Sequence, residues 1–317
     1  MKPIAAVFSD LHLHVFNQFN ENNRRLKASM DILNQLVSLD LPLLFAGDWF
    51  HEDQHISNTL FDYLSKHLPD NLKVYGISGN HDMSELNNND NLSPSLFRSM
   101  TRLLPNQFTC LEEDPSIELN EGIRVFGIPY LSYNIGLREY LDEIRDSLGY
   151  QVSSKRILLI HTDLHGASDT DGRKINSVQN MDANMTEFFK GFDLVFSGHI
   201  HKPQRITPHI IMVGAPNQQR KSDMGGKFGY WLIYEDMSVK FKKLKAPEFK
   251  FYIPGKDTID EYHYWVPVQE GKENEEDQIP KKFTNTISKT KLAKRYCKER
   301  GIKSKRKVEA LKSILDD

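Results

Sequence analysis

Asp10-Leu11-His12, Gly47-Asp48-Trp49-Phe50-His51, Gly79-Asn80-His81-Asp82, His161-Thr162 and Gly198-His199-Ile200-His201 follow one another through the first two-thirds of a 317-residue chain. Carboxylate oxygens, an amide oxygen and imidazole nitrogens form a donor set for divalent cations. Two such ions about 3.5–4 Å apart can activate water for attack on phosphorus and clamp the attacking and departing oxygens. Asp10, His12, Asp48, Asn80, His161, His199 and His201 are therefore the candidate metal ligands. Asp48 suits a bridging role because a carboxylate has two oxygens and a full charge. The mixed oxygen and nitrogen set favours manganese, with iron, zinc and magnesium ranked lower. No cysteine lies in these motifs, which argues against a structural zinc site.

Beyond the metal shell, a departing oxygen needs a proton, and His81, beside Asn80, is the candidate to supply it. Asp82 has two readings of similar weight: orienting the His81 ring, or capping the next turn. His51, three residues past Asp48, is read as contacting phosphate or positioning the leaving group. A lone Asp-x-His carries little information. Gly-Asn-His-Asp says more, although Gly-Asn also marks turns. Gly-His-x-His after an apolar run says most, because paired imidazoles there have no obvious core role. His14, His55, His67, His209 and His263 are expected to be surface residues; His165, close to His161, is placed either against substrate or, as most loop histidines are, facing solvent.

These motifs need rigid supports. Ile4–Phe8, Leu41–Ala46, Leu72–Ile77, Arg124–Ile128, Arg156–Ile160 and Asp193–Phe196 are short apolar runs of the kind that form buried strands in a layered α/β fold. Strand ends are where such sheets present ligands to a shared crevice. Asn23–Leu39, Thr59–His67 and Leu137–Leu148 carry apolar residues at helical spacing. Asn87–Ser95 reads as a loop, and Gly166–Ile175 as a mobile one. Ile210–Val213, Gly229–Tyr234 and Ser238–Leu244 read as successive strands closing an antiparallel edge. The expected organisation is a main domain over 1–246, a small cap-like segment with an acidic linker over 247–283, and a basic helical segment over 284–317. In the middle segment, Phe249–Val268 reads as a small strand pair and Glu270–Gln278 as the linker.

The composition, with 39% apolar and 26% charged residues, supports a real core. A formal net charge of −2 gives no whole-chain sign of nucleic-acid binding. That average conceals acidic motifs early and a lysine- and arginine-rich end. Cys110 and Cys297 do not suggest a disulfide framework. The first apolar run is too short for a signal peptide, and no run is long enough to span a membrane. A soluble protein in the cytoplasm, a host's were the chain phage-encoded, is the expectation.

Over residues 4 to 216 the motifs resemble those of the calcineurin-like metallophosphoesterases. The resemblance implies an α/β, four-layer sandwich of two mixed β-sheets flanked by helices, with a small C-terminal appendage. It implies two divalent ions: one among Asp10, His12, Asp48 and His201, the other among Asp48, Asn80, His161 and His199, with His81 catalytic. Gly-Asp-x-x-His ending at His51 is similar to the nuclease subunit of the SbcCD-type DNA repair complex, a group that includes compact bacteriophage recombination endonuclease subunits. The chain departs from that group at His14, where a small residue is usual, and after Pro247, where too little remains for a full DNA-end-reading domain.

The basic end includes Lys291, Lys294, Arg295, Lys298 and Arg306, with apolar residues near helical spacing. It reads as a surface for phosphate, as a helical pair docking on a partner, or as a solvated amphipathic tail. The resemblance implies docking on the coiled coil of an SMC-like ATPase, with some DNA contact, and leaves a homodimer open. Three functions compete at this point. They are a metal-dependent DNA nuclease subunit, a stand-alone esterase of small phosphodiesters or phosphoproteins, and a non-catalytic scaffold, which would have no reason to keep seven ligands.

Overall fold

The computed structural model describes residues 1–15, 24–51, 57–83, 94–112, 116–120, 122–131, 137–147, 155–176 and 184–267. In chain order the strands are β1 (Pro3–Phe8), β2 (Leu43–Ala46), β3 (Val74–Ile77), β4 (Phe108–Cys110), β5 (Ser116–Asn120), β6 (Ile123–Ile128), β7 (Lys155–His161), β8 (Leu194–Gly198), β9 (Gln204–Arg205), β10 (Ile210–Met212), β11 (Gly229–Tyr234), β12 (Val239–Lys243), β13 (Phe249–Tyr252) and β14 (Tyr264–Pro267). The helices are α1 (Arg24–Val37), α2 (Asn58–His67), α3 (Leu96–Leu103), α4 (Leu137–Ser147) and α5 (Met185–Phe188). One six-stranded sheet runs β12-β11-β1-β2-β3-β4, the other β5-β6-β7-β8-β10-β9, and β13 pairs with β14.

Alternation along the strands shows why the apolar runs are unbroken. Ala5, Val7, Leu44 and Ala46 of the first sheet meet Ile157, Leu159, Leu194, Phe196 and Ile211 of the second in one buried layer. The intervening residues Ala6, Phe8, Leu43 and Phe45 pack instead on Leu26, Met30 and Leu33 of α1 and on Leu60 and Phe97 of α2 and α3. Leu158, Ile160 and Val195 turn outward onto Leu141, Ile144 and Phe188 of α4 and α5. Strands buried on both faces lose the polar alternation of a half-exposed sheet. The result is the expected four layers: helices, sheet, sheet, helices.

β1, β2, β3 and β4 are parallel neighbours, as are β6, β7, β8 and β10, so their C-terminal ends gather at one edge. The antiparallel-edge expectation holds for β11 and β12: β11 pairs antiparallel with β1 and with β12, which forms the edge of that sheet. β10 lies in the other sheet, parallel to β8, because its inward Ile211 and Val213 complete the layer between the sheets. The strand pair expected within 249–268 is present as β13 and β14, but parallel rather than a hairpin. Arg25 of α1 lies over Phe249 and Tyr264, 5.3 Å from each centroid, and also donates to the Gln219 carbonyl. All the described residues fall in one compact unit, Met1–Val268. The linker and the basic segment with Lys291, Lys294, Arg295, Lys298 and Arg306 lie outside the described residues, as do His55, most of Asn87–Ser95 and Cys297.

Candidate metal centre

Past the strand ends, the loops after β1 and β2 stay zipped. Asp10 N–H donates to the Gly47 carbonyl at 2.9 Å, His12 to Asp48 at 3.1 Å and Leu13 to Trp49 at 2.9 Å. Trp49 anchors this ladder from below, its ring 5.2 Å from Phe45 and 5.1 Å from Phe108 in an aromatic cluster. Asp10 and His12 alternate with buried Leu11, and an extended strand would send both to one face. Instead both adopt left-handed backbone, φ 54° and 48°, as do Asp48 at 62° and His199 at 86°. Four of the six described non-glycine residues with positive φ are thus candidate ligands. Such conformations cost on the order of 1–3 kcal/mol each and collect at functional sites.

Two sets of side chains converge. In the first, His12 Nε2 lies 3.1 Å from His201 Nε2 and 3.9 Å from Asp10 Oδ1. In the second, Asn80 Oδ1 is 3.2 Å from His161 Nε2 and 3.0 Å from His199 Nδ1. Asp48 Oδ2 stands between them, 3.7 Å from His12 Nε2 and 3.3 Å from His161 Nε2. Asp10, His12 and His201 could hold one ion, and Asp48, His161 and His199 another. Ligands about 2.0–2.2 Å from a common ion lie roughly 3.0–3.5 Å apart, close to the separations found. Each imidazole points a ring nitrogen into the cluster, so the donor set fits a dimetal centre.

The orientation of these rings is fixed from behind. A carbonyl can only accept, so His161 Nδ1–H donates to Ala46 O, 2.7 Å away, leaving Nε2 for a ligand role. His201 Nδ1 faces buried Asp223 Oδ2 at 3.9 Å, and that oxygen accepts from Gln219 N–H at 2.8 Å and Arg220 N–H at 3.1 Å. Ser9 hydroxyl donates to Asp10, and His199 N–H donates to Asp10 Oδ1. Neither Ser9 nor Asp223 belongs to a readable motif. Gly47 has φ 95°, and a Cβ there would overlap the His161 ring. A Cβ on Gly79 would overlap the Asp48 carboxylate.

Charge follows burial. Burial works against protonated His161, but the neighbouring Asp48 and Asp10 carboxylates outweigh it and push it up to about 9. Burial raises Asp48, yet His161, His12 and His81 together hold it well below the carboxylate range. His199 is pushed down to about 4, by burial and then by the charge on His161. Burial, joined by the His201 charge, keeps His12 well below the usual imidazole range. Burial pushes Asp10 up.

His81 and His51 form a pair beside the ligands. His81 Nδ1–H donates to the His51 carbonyl at 2.7 Å, and the two rings stack at 5.3 Å with planes 7° apart. His51 Nδ1 lies 3.3 Å from His12 Nδ1. Asp82 does not hold the His81 ring. Its carboxylate accepts backbone N–H groups from Asp48 and Gly79 at 2.9 Å and from Phe50 at 2.8 Å, tying the loops after β2 and β3 together. Burial and the charge of Asp48 push it up to about 7. Its bond to Gly79 caps the short turn that carries Asn80, the second of its two expected roles.

His14 corrects the expectation of a surface residue. It is half-buried, its Nδ1–H donates to the His12 carbonyl, and its ring stacks on His51 at 4.1 Å. A cavity of about 470 Å³ opens over the cluster, lined by His12, His14, His51, His81, His199 and His201 and closed on the other side by Asp169, Thr170, Gln219 and Arg220. His165 is not in its lining and bonds the Asn176 carbonyl. The loop Gly166–Ile175, expected to be mobile, is pinned by Gly166 N–H to Ile175 O, Ile175 N–H to Ala167 O and a Gln204 amide bridging both sides of Ser168.

Facing strand ends from two parallel sheet segments set Asp48 between two imidazole-rich groups that could each hold an ion, an arrangement that fits the dimetal phosphoesterases. A family model described as calcineurin-like phosphoesterase matches residues 5–203, well over half of the chain, and the chain belongs to that family. As a member it is a metal-dependent hydrolase of phosphoesters. The DNA double-strand break repair protein Mre11 of Methanococcus maripaludis is 24% identical over 204 residues, covering 61% of this chain and 50% of that protein. A solved Staphylococcus aureus protein, provisionally assigned as a 5′-nucleotidase and bound to alpha-ketoglutarate, shares 18% identity with a TM-score of 0.44, covering 75% of this chain and 52% of that one. The calcineurin-like phosphoesterase YfkN of Bacillus subtilis shares 12% identity with a TM-score of 0.34, covering 75% and 87%. The chain thus spans about half the length of the curated relative it matches. No described helix is long and apolar enough to cross a membrane.

Proposed function

We propose that this protein is a manganese-dependent DNA nuclease that cleaves phosphodiesters, and that it is the catalytic subunit of a repair or recombination complex with an SMC-like coiled-coil ATPase. The observation that carries the reading is the His51–His81 pair set against the two ligand clusters. It places the histidine of the Gly-Asp-x-x-His motif directly on the candidate catalytic ring. The likeness to a protein named for DNA double-strand break repair supports the choice of DNA.

When bound, a pair of divalent ions supplies a nucleophile near neutral pH and neutralises charge on the phosphoryl oxygens. Asp48 stands where one carboxylate can serve both half-sites. Ala46 O fixes the tautomer of His161, so its Nε2 keeps a lone pair. His51 O takes the Nδ1–H of His81, so when the ring is doubly protonated its second proton sits on Nε2, from which it passes to the departing sugar oxygen and leaves the neutral Nδ1–H ring. The basic segment from Lys289 onward would meet the ATPase coiled coil and nearby DNA phosphates.

Incubating the purified full-length chain with labelled single- and double-stranded DNA, with manganese or magnesium, tests this reading. Manganese-dependent cleavage is expected. Hydrolysis of bis(p-nitrophenyl) phosphate with no cleavage of either DNA would replace it with a stand-alone esterase of small phosphodiesters or phosphoproteins.

A further inference from the structure

Arg220 carries a charge at the cavity mouth that none of the sequence motifs accounts for. Its side chain is 60% exposed, yet its position is set from three directions. Its backbone N–H donates to Asp223 Oδ2 at 3.1 Å, its Nε lies 3.7 Å from Asp223 Oδ1, and its terminal nitrogen donates to Thr170 Oγ1 at 3.3 Å. Asp223 is the same buried carboxylate that faces His201 Nδ1 from behind. One buried acidic side chain therefore stands within ion-pair distance of both a candidate metal ligand and a guanidinium, and holds the Arg220 backbone through its N–H. Thr170, the Arg220 partner across the mouth, offers only a neutral hydroxyl on a pinned loop. The acid in the lining, Asp169, has Oδ1 occupied by Arg173 N–H at 2.8 Å.

We infer that Arg220 is a substrate-binding residue whose guanidinium leaves Thr170 to take a phosphate oxygen of the phosphodiester, while Asp223 holds its base in register with His201. This rests on the phosphodiesterase reading above. A guanidinium presents a planar fork that matches phosphate geometry, and an ionic acceptor outcompetes a neutral hydroxyl. The oxygen can belong to the phosphate being cleaved or to its neighbour along a nucleic-acid strand.

The test uses full-length protein loaded with manganese, comparing the natural chain with Arg220→Met and Arg220→Lys. Inorganic phosphate binding is measured by calorimetry and manganese binding is measured separately. Phosphate should bind about tenfold to a hundredfold more weakly to Arg220→Met, as befits one lost charge-assisted contact, with manganese affinity unchanged. Arg220→Lys should fall in between. Equal phosphate affinity in all three proteins, or manganese loss that accounts for the weakening, overturns the assignment. These readouts need no turnover, so an inactive natural chain would refute the enzymatic reading without deciding this one. With activity, a KM increase on bis(p-nitrophenyl) phosphate locates Arg220 at the cleaved phosphate. An increase confined to an oligonucleotide locates it at the neighbouring one, and no increase on either overturns it.

Discussion

Replacing Asp82 by alanine separates positioning from catalysis at this site. The carboxylate accepts three buried backbone N–H groups, two on the loop that carries Asp48 and one on the Gly79 turn that carries Asn80. Each buried donor left without a partner costs about 1–3 kcal/mol. Three would total roughly 3–9 kcal/mol, and a water entering the space left behind offsets part of this. A net loss of about 3–5 kcal/mol is expected, comparable with breaking other buried charged contacts. Asp48 sits at φ 62° on the loop that would be released, so manganese affinity should fall more than tenfold although Asp82 touches no ion position. Denaturant unfolding of the metal-free protein measures the first quantity and calorimetric titration with manganese the second. A loss below about 1 kcal/mol with intact manganese affinity and collapsed turnover would refute this reasoning. It would return Asp82 to the ring-orienting role first considered for it.

Gly79→Ala puts a Cβ into the Asp48 carboxylate and backbone, so bound manganese per chain should drop; undiminished stoichiometry would contradict the packing described. His81→Asn removes the ring that His51 O orients but no atom of the two clusters that Asp48 stands between, although His81 also groups with His12 and His51 closely enough to hold an ion. Metal content should persist while turnover falls about 10²–10⁴-fold, as read by paired elemental analysis and steady-state kinetics. The pH dependence follows from His161, which is raised to about 9 in the metal-free protein. A group raised above its ordinary value of 6.5 stabilises the fold below that value, and this contribution is lost as pH rises through about 9, at up to ~1.4 kcal/mol per pH unit. An ion needs the neutral ring, so manganese binding near pH 7.5 should expel a proton and tighten as pH rises towards about 9. Titrations in buffers of different ionisation enthalpy count that proton, and a count of zero would contradict the electrostatics. His12 and His199, held low by burial, should add none.

Much of this was legible because local and global signals coincide. The runs at β1, β2, β3, β6, β7 and β8 are unbroken because each strand is buried on both faces, and every ligand motif sits at the end of one of them. β10 was misassigned for the same reason in reverse: three apolar residues give a strand but not a sheet, and the choice of partner depends on Ile211 and Val213 facing the second sheet. α3 and the short β4 and β5 carry no such signal, and Glu118 and Asn120 in β5 break any apolar run. His14 was misjudged because a histidine one residue past a buried leucine looks like surface, and only the stack on His51 reveals its place. Asp223 and Arg220 lie more than two hundred residues from Asp10 in sequence. No spacing rule connects them to His201, because the connection is made by the turn that follows β10 and not by a repeat or a motif.

Anomalous diffraction from crystals grown with manganese addresses the paired centre most directly. Two peaks about 3.5–4 Å apart are expected. One should lie among Asp10, His12 and His201, the other among Asn80, His161 and His199, with the Asp48 carboxylate between them. A single peak, or density away from Asp48, would contradict a dimetal centre built from these seven side chains.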